Sequence, residues 1–169
     1  MTLEQLNQLG PEACIDTLRR CCVSTRWLEG MEAARPFATG DALYDSAARI
    51  WSELSMPDYL EAFEGHPKSG DLASLQAWYA DSKTQAAAEQ SAAVEASEQV
   101  LSALAEANRE YEARFGFNFI LCSSGKPAQE MLTLLNQRLD NDLISELAIA
   151  AAEQAKITRL RLEQLLDEQ

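Results

Sequence analysis

The sequence predicts an all-α fold: a single-domain compact bundle of about eight or nine helices, with one short extended segment near residues 117–123. Three observations carry this. Apolar residues recur at helical spacing through almost every stretch, as in Leu43, Ala47, Ile50, Trp51 and Leu54. Between Gln85 and Arg114 there is neither proline nor glycine, as a long helix requires. The helical rhythm breaks decisively only at Phe115-Gly116-Phe117-Asn118-Phe119-Ile120-Leu121-Cys122, an apolar run too short for a helix and ending at Ser123-Ser124-Gly125. At 169 residues the chain suits one domain with a substantial core.

In chain order, Thr2 and Gln5 form a capping-box pattern that opens a short helix ending at Gly10-Pro11. Pro11 suits the first turn of a second helix carrying Ile15, Leu18 and Cys22, and Ser24 is placed to cap a third carrying Trp27, Leu28 and Met31. That helix stops before Arg35-Pro36-Phe37, and the next runs from Asp41. Pro57 restarts a helix with Tyr59, Leu60 and Phe63 inward, and Gly65-His66-Pro67 ends it. Asp71 to Ser82 repeats the helical pattern with Leu72, Leu75, Trp78 and Tyr79. The long helix follows, with Val100, Leu101, Leu104, Ala107 and Tyr111 as its apolar stripe. A further helix holds Met131, Leu134, Leu135 and Leu139. Asn141-Asp142 caps the last, whose apolar face is expected at Ile144, Leu147, Ala148, Ala151, Ala155, Thr158, Leu162 and Leu165.

With 14 Lys+Arg against 27 Asp+Glu the formal net charge is −13, which repels nucleic acid and anionic membrane surfaces. Neither is expected as a partner. A small anionic substrate needs a local basic group, so an arginine among apolar neighbours is informative. Arg161 has Ile157 and Leu165 four residues to either side, whereas Arg159 has Ala155 and Glu163, so Arg161 is the better anion clamp. The bland alternative is an arginine snorkelling at the rim of the core.

Cys14, Cys21, Cys22 and Cys122 form no Cys-x-x-Cys pair and the chain has one histidine, so no metal site is expected. The cysteines read as reduced thiols of a cytoplasmic protein, because Met1-Thr2-Leu3-Glu4-Gln5 shows no basic region followed by an apolar run and no window approaches the length of a membrane span. Ser124-Gly125-Lys126-Pro127 lacks the spacing and the hydroxyl of a phosphate loop.

That histidine, His66, follows the end of an apolar helix and precedes a proline, which biases it away from helical geometry. Its side chain titrates near neutral pH without special help. Glu89 sits among Ala86, Ala88, Ala92 and Ala93, small residues that let another helix or a ligand approach closely. An extended segment near 117–123 leaves backbone N–H and C=O groups that a polar ligand can satisfy.

Together, Arg35-Pro36-Phe37, Leu60-Glu61-Ala62-Phe63-Glu64-Gly65-His66-Pro67, Glu89-Gln90, Tyr111 to Ile120 with its Phe-Gly-Phe-Asn-Phe-Ile run, and Lys156-Ile157-Thr158-Arg159-Leu160-Arg161-Leu162 resemble one family, the 2-oxo-4-hydroxy-4-carboxy-5-ureidoimidazoline (OHCU) decarboxylases of uric acid breakdown. The resemblance implies an all-helical, cofactor-independent homodimer that converts an anionic ureidoimidazoline acid into (S)-allantoin with loss of carbon dioxide. It implies His66 as proton donor, with Pro67 bordering the substrate and Glu89 either pairing with His66 or receiving ureido N–H groups. It also implies that Gln85, Ala86, Ala87 and Ala88 line the pocket, that the backbone of Phe119, Ile120, Leu121, Cys122 and Ser123 binds the ring and ureido group, and that Arg161 binds an anionic or carbonyl oxygen. Two departures stand out: Lys68-Ser69-Gly70 lacks the aliphatic residue that often follows this histidine and proline, and Ala86-Ala87-Ala88 stands where relatives often carry a hydroxyl. Composition alone points instead to a non-enzymatic helical interaction module, and a relative acting on another unstable ureido acid is the enzymatic alternative.

Overall fold

The computed structural model describes residues 1–66, 94–122 and 126–167. The described residues are helical and contain no strand, in eight helices. These are α1 (Leu3–Gln8), α2 (Pro11–Leu18), α3 (Thr25–Ala34), α4 (Gly40–Ser52), α5 (Met56–Glu64), α6 (Val94–Phe115), α7 (Ala128–Arg138) and α8 (Leu143–Asp167). They fall into two compact units, Met1–Gly65 with Ala151–Gln169, and His66–Ala150. The expected helix over 71–82 and the residues 85–93 of the long helix lie outside the described residues.

In the first unit the helices are fastened at their ends by side chains. Thr2 and Gln5 make the expected capping box on α1. Arg35 closes the other end of that helix: its Nη1 donates to the carbonyls of Leu6 (2.8 Å) and Leu9 (2.7 Å). Asn7 binds Phe37 through both main-chain groups, at 2.9 Å each. The Arg-Pro-Phe stretch therefore satisfies carbonyls that a helix C-terminus leaves unpaired. Ser55 and Asp58 form a capping box on α5. Hydrogen bonds from Ser55, its backbone N–H foremost, hold the Asp58 carboxyl below its ordinary value.

The third helix departs from expectation. Ser24 occupies the N-cap position, but its hydroxyl makes no cap bond and is buried without a partner among the described residues. Glu61 of α5 supplies the cap instead, accepting from the Thr25 N–H at 2.6 Å and from the Thr25 hydroxyl at 2.8 Å. A carboxylate at a helix N-terminus is favoured by the helix dipole as well as by the hydrogen bond. Trp27, Met31, Leu43 and Phe63 fill the core, and the Trp51 indole N–H donates to the Ala151 carbonyl at 2.9 Å.

In the second unit Leu101, Leu104, Ala107 and Tyr111 of α6 are buried as their spacing predicts, and Met131 and Leu135 of α7 with them. The start of α8 corrects the expected apolar face. Ile144 is 80% exposed and Leu143 48%, while Glu146 and Ala150 are 0% exposed. Beyond that boundary, in the first unit, Glu153, Gln154, Thr158, Leu162 and Leu165 are buried. The buried stripe keeps helical spacing, but much of it is polar.

Candidate functional site

The route to His66 is set by α5. Phe63 is fully buried and anchors the last turn, Glu61 ties it to α3, and the Gly65 N–H bonds the Ala62 carbonyl at 3.1 Å to end the helix. A Cβ at Gly65 would lie 2.5 Å from a methyl of Val23, so the close approach there requires glycine. The next residue, His66, is half-buried and non-helical.

Within the second unit, the His66 carbonyl accepts a hydrogen bond from the Asn118 side-chain amide at 3.3 Å. His66 and the Phe-rich crossing, apart in sequence, are thereby brought together. The crossing leaves α6 through Gly116, whose φ of +82° suits glycine. Phe117 and Ile120 are buried, and Phe119, Leu121 and Cys122 half-buried. Neither helix nor strand forms over 118–122, and Phe119, Ile120 and Leu121 make no backbone–backbone hydrogen bond among the described residues.

Side chains hold the segment instead. Arg138 of α7 donates from Nη1 to the Ile120 carbonyl at 2.7 Å, and its guanidinium lies 4.4 Å from the Phe119 ring centroid. The Cys122 carbonyl accepts from the Lys126 ammonium at 2.9 Å. Arg138 also donates from Nε to the buried Glu146 carboxylate at 2.7 Å. Glu146 further accepts from the Tyr111 hydroxyl and, at 3.0 Å, from the Asn141 amide. Burial and the hydrogen bond with Glu146 push the Tyr111 hydroxyl well above its ordinary range, so it stays a neutral donor. A fully buried carboxylate is tolerable when so completely paired.

Asn118, Arg138 and Glu146 were not singled out by the sequence. Arg138 has Leu134 four residues before it but Asp142 four residues after, the mixed pattern of Arg159 rather than that of Arg161, so the spacing signal that drew attention to Arg161 does not select it.

Arg161 belongs to the first unit. It is half-buried and, with Arg20, Cys21, Gln164 and Leu165, lines a cleft of about 200 Å³. It makes no hydrogen bond, ion pair or ring contact among the described residues. Arg159, by contrast, pairs with Glu163 at 2.6 Å and stacks 4.0 Å from the Tyr44 ring centroid. Burial pushes the neighbouring Cys22 thiol up to about 11, against the lowering influence of the Ser24 backbone, the Thr158 hydroxyl and the Arg161 charge. Pro67, Gln85, Ala86, Ala87, Ala88, Glu89 and Ser123 lie outside the described residues. Among the described residues no group of three or more His, Cys, Asp or Glu is placed to hold a metal ion, and no helix is long and apolar enough to cross a membrane.

The chain is 39% identical over 155 residues to the uric acid degradation bifunctional protein TTL of Arabidopsis thaliana, covering 90% of this chain but 47% of that protein, so it spans about half the length of this relative. It is 26% identical over 163 residues to the 2-oxo-4-hydroxy-4-carboxy-5-ureidoimidazoline decarboxylase of Haloferax volcanii, covering 96% of this chain and 94% of that one. The crystal structure of an OHCU decarboxylase in the presence of (S)-allantoin matches with a TM-score of 0.73 at 37% identity, over 90% of this chain and 99% of that chain. The sequence model of OHCU decarboxylase matches residues 7–163, and by that match the chain belongs to the OHCU decarboxylase family.

Proposed function

We propose that this chain, as one domain over residues 1–169, decarboxylates 2-oxo-4-hydroxy-4-carboxy-5-ureidoimidazoline to (S)-allantoin in uric acid breakdown. Family membership supports the reaction. The observation that carries the reading in this chain is Arg161, a half-buried guanidinium lining a cleft with no hydrogen bond or ion pair among the described residues, in a protein of net charge −13. An unspent cation there is suited to an anionic substrate.

The chemistry asks little of a cofactor. The bond from the ring carbon to its carboxylate breaks, carbon dioxide leaves, and the electron pair left behind spreads into the ring's own imine and carbonyl groups. As the hydroxyl on that carbon gives up its proton and becomes the ring carbonyl, a proton delivered to the adjacent ureido-bearing carbon completes allantoin. His66 is the donor in this reading, a role in which acid–base catalysis contributes typically about a hundred- to ten-thousand-fold. Delivery from one face sets the S configuration. Arg161 neutralises the substrate's charge, Glu89 pairs with His66 or takes the ureido N–H groups, and Pro67 and Gln85 to Ala88 line the pocket. The backbone of Phe119 to Ser123 orients the ring. A cytoplasmic homodimer is part of the proposal.

The test supplies urate, uricase and the hydrolase that follows it, and monitors allantoin by circular dichroism. The chain is expected to accelerate formation of the S enantiomer, and His66→Ala to abolish that acceleration while its far-ultraviolet spectrum is unchanged. Wild-type turnover by folded His66→Ala ends the proton-donor assignment, and no acceleration by the unaltered chain ends the decarboxylase reading.

A further inference from the structure

We propose that Arg138 is a positioning residue for the substrate: with Glu146 behind it, it fixes the Phe119–Leu121 main chain so that the backbone N–H groups of that segment are held ready for the ligand. The inference rests on the reading above that this segment binds substrate, and it assigns the side chain that makes an unladdered segment able to do so.

A strand in a sheet has its carbonyls and amides fixed by its neighbours. Phe119, Ile120 and Leu121 have no such ladder among the described residues. An extended segment without one samples many backbone conformations, and a ligand that orders it loses affinity accordingly. Arg138 removes that freedom at two adjacent residues with one rigid group. Its Nη1 grips the Ile120 carbonyl at 2.7 Å, and the plane of the guanidinium covers the Phe119 ring at 4.4 Å. The Tyr111 ring meets Phe119 edge-on at 5.2 Å, on a side chain that also donates to Glu146. Glu146 in turn holds the Nε side of the guanidinium at 2.7 Å and is itself held by Asn141. The chain of contacts runs from α8 through α7 to the crossing.

This bond engages the carbonyl of Ile120 and leaves its amide, and that of Leu121, with no hydrogen-bond acceptor among the described residues. Donors in that state are costly unless something accepts from them, and the ureidoimidazoline's carbonyl oxygens are acceptors of the right kind. Lysine cannot substitute for Arg138, because a single ammonium does not reproduce a planar fork that grips a carboxylate and a carbonyl together.

The experiment compares Arg138→Lys with Tyr111→Phe in the full chain. Tyr111→Phe removes one hydrogen bond from Glu146 but leaves the Arg138 grip on Ile120, so it reports loss of stability alone. Three measurements are made: amide hydrogen exchange at Ile120 and Leu121, steady-state kinetics giving KM and kcat on enzymatically generated substrate, and the thermal midpoint. Arg138→Lys is expected to speed exchange at both amides and raise KM about tenfold, with kcat changed less than about threefold, the signature of lost binding rather than lost chemistry. Tyr111→Phe is expected to lower the midpoint while leaving KM within about twofold.

If KM rises in both variants in proportion to the fall in midpoint, Arg138 is merely structural and the proposal is overturned. Faster exchange with unchanged KM also overturns it, and takes with it the assignment of residues 119–123 as substrate-binding. Unchanged exchange with unchanged KM overturns the Arg138 role alone and leaves the decarboxylase reading intact. Should Arg138→Lys fail to fold, Glu146→Gln keeps the side chain's shape while weakening its hold on the guanidinium. It carries the same comparison with an expected KM increase of about threefold.

Discussion

In the second unit the Arg138 guanidinium is held by the Glu146 carboxylate through Nε, by the Ile120 carbonyl through Nη1 and by the Phe119 ring, at 8% exposure. In the first unit the Arg161 guanidinium lines a cleft with no hydrogen bond or ion pair among the described residues. Both have an apolar residue four positions before them, Leu134 and Ile157, and their environments separate two uses of a half-buried or buried arginine. A guanidinium whose Nε and Nη1 are tied to internal acceptors organises the protein. One whose donors remain unspent is available to a ligand.

The contrast is sharpened first by stability. Glu146→Ala leaves the buried Arg138 charge unpaired and is expected to cost about 3–5 kcal/mol, the range for breaking a buried ion pair from one side. Urea unfolding with an unchanged m-value measures it, and a loss below about 1 kcal/mol would place the pair in the class of exposed ion pairs. Arg161→Lys is expected to do the reverse: stability within about 0.5 kcal/mol of the parent, as befits a side chain that makes no hydrogen bond or ion pair among the described residues. Its KM should rise, because the charge survives but the planar fork does not. An unchanged KM would break the comparison by showing that Arg161 is as uninvolved with substrate as with its neighbours.

The smallest effect belongs to Cys22, beside the Arg161 cleft. Its thiol is pushed up to about 11 from an ordinary 9.0, so the fold holds the protonated form. The unfolded chain ionises first, so this contribution to stability is complete below pH 9.0, falls as pH rises towards 11, and is lost beyond it. Cys22→Ala should flatten that part of the stability–pH curve. An identical alkaline slope in the variant would show that Cys22 is not the group responsible.

Elements whose ends are local were legible from the residues: the capping box at Thr2, Pro11 at a helix start, the Asp142 cap, and the stop at Gly65. Caps supplied from afar were not. Ser24 is the favoured residue type in the favoured position, yet the carboxylate of Glu61, 36 positions on from Thr25, does the capping. The face of α8 failed for a related reason. A hydrophobicity pattern counts Ile144 as inward and Glu146 as outward, but Glu146 is paid for by Tyr111, Arg138 and Asn141, whose approach no local window contains. Motif order in the sequence singled out His66, Arg161 and the Phe-rich crossing as the candidate site. Asn118 and Arg138, which give that crossing its anchors, become visible only when the helices are assembled.

Gly65 carries one more implication. Because a Cβ at that position would lie 2.5 Å from one Val23 methyl and 3.0 Å from the other, the two sites share a fixed allotment of volume. Over evolutionary time they are therefore coupled. Alanine at 65 with valine at 23 crowds the turn that leads to the histidine, and a smaller residue at 23 relieves it.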